Sequence, residues 1–258
     1  MFTSYIAIGD SFTEGVGDEL PDGRTRGWAD FVALGLAAAS SEPVRYANLA
    51  IRGRKLGPLI TEQLQPAIDQ RPQLISLNGG GNDIMRPKVS MESVVTMLDD
   101  AATRVTAAGL HMLLLSGANP TAHLPLGSVM RRRGDELDAA VRARLPLDNV
   151  TFVDNWVDEG LGDIRYWSVD RLHLNSLGHA RVASNVLTAL GVPVPAEWGV
   201  DEVAAAPAGE KSRRTVDYYR RYVLPWIGRR LTGRSSGDGR TAKIPSLTIV
   251  DPSAAAPL

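Results

Sequence analysis

A serine, an aspartate and a histidine in this sequence have the side chains that nucleophilic catalysis needs. Ser11 stands in Gly9-Asp10-Ser11, directly after the first short apolar run. Asp170 and His173 belong to Asp170-Arg171-Leu172-His173, near the end of the compact part of the chain. A hydroxyl becomes a useful nucleophile when a base takes its proton, and that base needs a partner to hold its tautomer. Ser11, His173 and Asp170 are therefore candidates for these three groups.

Two glycine-containing segments between these residues offer hydrogen-bond donors for a developing oxyanion. Gly53 ends Ala50-Ile51-Arg52-Gly53, and Asn82 follows a run of three glycines in Gly79-Gly80-Gly81-Asn82-Asp83. A backbone N–H or an amide side chain at such a position can stabilise a tetrahedral intermediate. We assign Asp83 a structural role, in which its carboxylate accepts backbone N–H bonds.

Each of these segments also fits a simpler role when it is taken alone. Gly-Asp-Ser favours a turn that caps a helix, and Asp-x-x-His fits a capping aspartate in a loop. The first segment also fits a phosphate cradle, although no Gly-Lys-Ser/Thr follows as in a P-loop. His111 is expected in a strand and His123 in a loop. His173 and His179 lack the i, i+4 spacing of a helical metal pair, so we predict no metal site.

Composition restricts the class of protein. The chain has 258 residues, is 44% hydrophobic and contains no cysteine. This size and composition suit one globular domain with an appendage, and the lack of cysteine excludes disulfides, thiolate zinc sites and cysteine nucleophiles. No export signal is visible and no apolar stretch approaches the ~20 residues of a membrane-spanning helix. We expect a cytoplasmic protein.

Short apolar runs alternate with longer helical patterns along residues 1–195. The runs lack a clean alternation of period two, as is typical of strands buried on both faces, and this favours a parallel sheet covered by helices. The predicted strands are Tyr5–Ile8, Val44–Leu49, Leu74–Leu77, Leu110–Leu115 and Val150–Val153. Helices are predicted near 28–39, 56–69, 91–108, 131–144 and 175–190.

Residues 196–258 differ from this domain in composition. Residues 1–210 carry a net charge of -8, whereas residues 211–243 carry +8. We expect a linker, then a basic amphipathic helix over 212–231 anchored by Tyr218, Tyr222 and Trp226, and then an irregular, mobile and dispensable segment over 233–258. The basic tail is expected to pack on the acidic body or to contact an anionic surface, and it has no specific nucleic-acid motif.

Taken together, the four segments resemble the conserved blocks of the SGNH hydrolases, also called the GDSL esterase/lipase family. Gly9-Asp10-Ser11-Phe12-Thr13-Glu14-Gly15 is similar to the first block and Asn48-Leu49-Ala50-Ile51-Arg52-Gly53 to the glycine block. Gly80-Gly81-Asn82-Asp83 matches the G-x-N-D block, and Asp170-Arg171-Leu172-His173 matches the D-x-x-H block. The resemblance covers about residues 4–190 and is nearest to the bacterial intracellular members.

This resemblance implies a flavodoxin-like three-layer α/β/α fold with a five-stranded parallel sheet. It implies a carboxylic ester hydrolase that needs no cofactor, with Ser11 as nucleophile, His173 as base and Asp170 as its orienting partner. The implied oxyanion hole consists of the Ser11 and Gly53 backbone N–H groups and the Asn82 side chain. An acyltransferase would use the same residues, and a non-covalent binding module would not need all of them.

Overall fold

The computed structural model describes residues 1–124, 127–200, 216–218, 220–221, 224 and 235–252. Its centre is one sheet of six strands in the order β5-β4-β3-β1-β2-β6. The strands are β1 (Ser4–Ile8), β2 (Arg45–Asn48), β3 (Leu74–Leu77), β4 (His111–Leu115), β5 (Val150–Val153) and β6 (Ile244–Ile249). Strands β1 to β5 pair in parallel, which confirms the predicted parallel sheet.

Helices cover both faces of this sheet. The longer ones are α2 (Trp28–Ala39), α6 (Met91–Ala107), α7 (Gly127–Arg142) and α8 (Ser176–Ala189). The shorter ones are α1 (Ser11–Glu14), α3 (Leu56–Leu59), α4 (Gln65–Asp69) and α5 (Gly81–Ile84). A π-helical turn, Ile60–Leu64, joins α3 to α4, and three-residue to four-residue 3₁₀ turns lie at Glu159–Gly162, Ile164–Tyr166 and Ala196–Trp198. Among the described residues, no helix is both long and apolar enough to span a membrane.

Strand β1 shows why the apolar runs do not alternate with polar residues. Tyr5 and Ala7 pack into a core with α2 and α8, whereas Ile6 and Ile8 pack into a second core with α3 and α6. Both faces of the strand are therefore buried, and residues Tyr5–Ile8 form an apolar run without alternation. This arrangement is the three-layer α/β/α fold that the sequence predicts.

The strand order places two loops beside each other at the carboxyl edge of the sheet. Strands β1 and β3 are neighbours in the sheet. The chain continues from β1 to β2 on one side and from β3 to β4 on the other side, so the direction in which strands are added reverses between β1 and β3. Ligands of open parallel sheets bind at such a switch point. The loop after β1 begins with Gly9-Asp10-Ser11 and the loop after β3 contains Gly79–Asp83.

The C-terminal segment corrects two predictions. We expected residues 233–258 to be irregular and the sheet to have five parallel strands, but Ile244–Ile249 forms β6, a sixth strand that pairs antiparallel with β2. Pro245 weakened the strand pattern in the sequence, and an edge strand tolerates proline because one side of it faces away from the ladder. Only short pieces of the predicted 212–231 helix are described, among them the helical turn Val216–Tyr218. Tyr222, Trp226 and residues 201–215 lie outside the described residues.

Candidate active site

The first element that positions the site is the tight turn between β1 and α1. Asp10 caps α1, with its carboxylate accepting the N–H of Phe12 at 3.1 Å. Ser11 is the first residue of that helix, so its side chain emerges at the carboxyl end of β1. Gly9 fits because a Cβ there would lie 2.2 Å from Thr13 Oγ1. Buried Gln63 also holds Gly9, accepting from its N–H and donating to its carbonyl oxygen.

Ser11, His173 and Asp170 are brought together as predicted, although 162 residues separate the serine from the histidine. His173 Nε2 lies 3.1 Å from Ser11 Oγ, and His173 Nδ1 lies 2.7 Å from Asp170 Oδ2. With Nδ1 protonated toward the carboxylate, Nε2 is the nitrogen that can accept the serine proton. The distances are those of a nucleophile, a base and an orienting carboxylate.

Local hydrogen bonds fix the loop that carries the aspartate and the histidine. Asp170 Oδ1 accepts from the Ser168 hydroxyl at 2.7 Å and from the N–H groups of Leu172 at 2.9 Å and His173 at 3.0 Å. Burial alone would raise the pKa of Asp170, but the hydrogen bonds from His173 and the backbone outweigh it and hold that pKa well below its usual range. The carboxylate therefore stays ionised. Tyr218 of the C-terminal segment donates to the Asp170 carbonyl oxygen at 3.1 Å.

Asn82 lies beside the nucleophile, at the start of α5 after the glycine run. Its Nδ2 donates to Asp10 Oδ2 at 2.9 Å and to the Arg54 carbonyl oxygen at 3.0 Å. Burial raises the pKa of Asp10 to about 6. The next residue, Asp83, accepts the Leu56 N–H at 2.9 Å, which is the structural role that the sequence suggested.

Gly53 lies in the loop after β2, with a φ of 75° that favours glycine. Glu14 holds this loop in place: its carboxylate accepts the backbone N–H of Arg52 at 2.7 Å and its Nε at 2.8 Å. The sequence motifs did not reveal this role of Glu14. The signal available in the sequence is an acidic residue three positions after Ser11 together with an arginine just before Gly53.

The other histidines are not part of this arrangement. His111 Nε2 is 2.8 Å from the Thr151 hydroxyl on β5, and His123 packs against Trp167 with ring centroids 5.5 Å apart. His179 is fully buried in α8, where Nδ1 accepts the Trp28 N–H at 3.2 Å. Its burial lowers the pKa to about 3, so the imidazole is neutral.

One cavity of about 220 Å³ connects these groups. Ser11, Gly53, Asn82 and His173 line it, together with Ser235 and Ser236 from the C-terminal segment. Apolar residues of the sheet and of helices α6 and α7 line another part, called the apolar chamber below: Leu98, Leu114, Met130, Leu137, Val141 and Phe152. The cavity that holds the nucleophile is therefore lined both by apolar side chains and by serine hydroxyls.

Comparison with known proteins places this site in a family. Residues 7–181 match the model of the GDSL-like lipase/acylhydrolase family. No curated protein sequence matches the chain at a significant level.

Solved structures share its fold. A lipase from a goat rumen metagenome is similar with a TM-score of 0.61 and 16% identity, covering 74% of this chain and 99% of the lipase. A variant of Axe2, an acetylxylan esterase from Geobacillus stearothermophilus, has a TM-score of 0.60 and 21% identity over 74% and 95% of the two chains. TesA has a TM-score of 0.55 and 22% identity over 72% and 97%. The family match spans more than half of the chain, which therefore belongs to the GDSL-like lipase/acylhydrolase family of carboxylic ester hydrolases.

Proposed function

We propose that this protein hydrolyses carboxylic esters through an acyl-enzyme on Ser11. The observation that carries the proposal is the continuous path from Ser11 Oγ through the His173 imidazole to the Asp170 carboxylate, with distances of 3.1 and 2.7 Å. Such a path removes the serine proton while the oxygen attacks, which a binding module would not need.

In the first half-reaction, Ser11 Oγ attacks the ester carbonyl carbon and His173 Nε2 takes the hydroxyl proton. Asp170 stays ionised and stabilises the imidazolium. The tetrahedral intermediate then collapses, its carbon–oxygen bond to the alcohol breaks, and His173 gives its proton to the leaving alcohol. In the second half-reaction, water attacks the acyl carbon and His173 takes its proton. The bond between the acyl carbon and Ser11 Oγ then breaks, His173 returns the proton to the serine oxygen, and the free acid leaves.

The oxyanion is stabilised by the backbone N–H groups of Ser11 and Gly53 and by the side chain of Asn82. Both N–H bonds of the Asn82 amide have acceptors, the Asp10 carboxylate and the Arg54 carbonyl oxygen. The bond to the Asp10 carboxylate is the stronger because its acceptor is charged. The oxyanion therefore replaces the neutral Arg54 carbonyl oxygen as the second acceptor, while Asp10 keeps the amide oriented.

The acyl chain occupies the apolar chamber. A liquid water molecule takes up ~30 Å³, so a cavity of about 220 Å³ accepts a group several times larger. Burying each methylene there contributes about 0.8 kcal/mol, which corresponds to a roughly fourfold gain in kcat/KM per methylene. We propose that esters with a short to medium aliphatic acyl chain are better substrates than acetyl esters.

The test is hydrolysis of p-nitrophenyl butyrate by the wild-type protein and by Ser11→Ala, His173→Ala and Ser128→Ala. Ser128 is an exposed serine of α7, so its replacement is the matched control for the loss of a hydroxyl. We expect Ser11→Ala and His173→Ala to lose at least about 10³-fold in kcat and Ser128→Ala to keep it, because nucleophile and base act as one unit. Hydrolysis at the wild-type rate by a folded Ser11→Ala protein would refute the proposed mechanism.

A further inference from the structure

The C-terminal segment reaches the mouth of the active site although it lies outside the family match. The matched region ends at residue 181, whereas Ser235 and Ser236 line the same cavity as Ser11 and His173. This segment therefore lies beyond the region that the family model describes, yet it contributes side chains to the same cavity.

Strand β6 anchors the segment to the sheet. The Val250 N–H donates to the Val44 carbonyl oxygen at 2.8 Å, and the Leu247 N–H donates to Gln70 Oε1 at 3.0 Å. Before the strand, Lys243 Nζ donates to the Glu14 carbonyl oxygen at 2.8 Å and is paired with Asp30 at 2.6 Å. These bonds fix the segment both to the sheet edge and to α1, which begins with the nucleophile.

The turn just before this anchor lies directly against the Gly53 loop. A Cβ built on Gly237 would lie 2.1 Å from the Arg52 carbonyl oxygen, so only glycine allows the two backbones to approach this closely. A Cβ built on Gly53 would lie 2.4 Å from Ser235 Oγ and 3.0 Å from Ser236 Oγ. The two hydroxyls therefore lie over the glycine whose N–H belongs to the proposed oxyanion hole.

These hydroxyls can form hydrogen bonds with a ligand. Ser235 Oγ accepts the Gly237 N–H at 3.1 Å, which uses a lone pair and leaves the O–H hydrogen for donation. Ser236 is exposed and also lines the cavity. Since the apolar chamber suits the acyl chain, the hydroxyl-lined side of Ser11 is the place for the alcohol part of the ester.

We propose that the turn at Ser235–Gly237 is a specificity-determining wall that binds the hydroxyl groups of a polyhydric alcohol ester. This inference rests on the proposed function, because it concerns the leaving alcohol of the same reaction. The wild-type protein then prefers an ester of a hydroxylated alcohol to the ester of a plain alcohol with the same acyl chain.

The experiment compares 2,3-dihydroxypropyl butyrate with propyl butyrate, which differ only in two hydroxyl groups. We expect Ser235→Ala and Ser236→Ala each to lower kcat/KM for the dihydroxypropyl ester by about 3- to 10-fold, the effect of one lost hydrogen bond. We expect the propyl ester to change less than about twofold. Ser246→Ala, at an exposed serine in β6, is the matched control and leaves the ratio unchanged.

Gly237→Val tests the close approach of the backbones. If the Gly237→Val protein folds, we expect the displaced turn to cause the same loss of preference for the dihydroxypropyl ester as the Ser235→Ala/Ser236→Ala double variant. If the Gly237→Val protein does not fold, the serine variants alone test the inference. An unchanged ratio of the two esters in the serine variants, or an equal loss for both esters, overturns the inference while the esterase mechanism stands. Absence of hydrolysis of both esters by the wild type, with no labelling of Ser11, overturns the proposed function and this inference with it.

Discussion

The Glu14 carboxylate binds both the backbone N–H and the guanidinium group of Arg52. The glutamate Oε2 accepts the Arg52 N–H at 2.7 Å, and Oε1 is 2.6 Å from the terminal guanidinium nitrogen. The helix that begins with Ser11 is thereby tied to the loop that contains Gly53. A short ion pair thus sets the distance between the nucleophile and one proposed oxyanion donor.

Glu14→Gln tests whether this ion pair positions the site. The side chains of Arg52 and Glu14 are only 18% and 9% exposed, so the lost charge is poorly replaced by water. We expect the free energy of unfolding to fall by about 1.5–3 kcal/mol and kcat for p-nitrophenyl butyrate to fall about 10-fold with little change in KM. Asp22→Asn, in an exposed ion pair with Arg24, is the control and should alter neither quantity. A loss of stability with unchanged kcat would make the role of Glu14 structural alone.

Asn82→Ala should lower kcat by about 10²–10³-fold while KM stays within a few fold. The reason is that the oxyanion exists only near the transition state, so its donor does not stabilise the bound ester. Steady-state kinetics on p-nitrophenyl butyrate separate the two constants. A change confined to KM would assign Asn82 to substrate binding instead.

The apolar chamber predicts a chain-length preference that one residue can remove. Met130 of α7 lines the chamber and is half-buried, so Met130→Trp fills space without disturbing the core. We expect kcat/KM to rise from the acetyl to the hexanoyl p-nitrophenyl ester in the wild type and to stay flat in Met130→Trp. Val129→Trp, at the exposed neighbouring position, is the matched control. Equal effects of the two variants would mean that the acyl chain lies elsewhere.

Buried His179 predicts a loss of stability in acid. Burial lowers its pKa in the folded protein to about 3, from the ordinary histidine value of 6.5. Between these values the unfolded state binds the extra proton, so the contribution of this group to stability is complete above pH 6.5 and declines as the pH falls toward 3. Urea unfolding of wild type and His179→Gln at several pH values should show a shallower acid decline in the variant. Parallel declines would show that another group causes the loss.

The same variant distinguishes the two histidines in catalysis. At pH 7.5, His179→Gln should lose far less activity than His173→Ala, because His179 does not belong to the hydrogen-bonded path from Ser11 through His173 to Asp170.

Local patterns were sufficient for the parts of the fold that are encoded locally. The runs Leu74–Leu77 and Val150–Val153 are strands with the predicted bounds. His173 lies within hydrogen-bond distance of both Ser11 and Asp170. Their positions followed from strand ends, turn residues and the joint order of the motifs.

The features that the sequence did not reveal depend on contacts between distant residues. Strand β6 takes its hydrogen bonds from β2, about 200 positions earlier, and its own pattern is broken by Pro245. Gln63 gave no signal either, because a buried glutamine in a helical pattern reveals neither its π-helical turn nor its partner Gly9. Such pairings have no local signature in the sequence.

In the mechanism that we propose, Ser11 is the residue that becomes acylated. A fluorophosphonate mimics the ester and forms a stable bond to an activated serine oxygen, so mass spectrometry of the digested protein locates the nucleophile. We expect one adduct per chain on the peptide containing Ser11, no adduct on Ser11→Ala, and full labelling of Ser128→Ala. An adduct on a different residue, or undiminished labelling of Ser11→Ala, would contradict it.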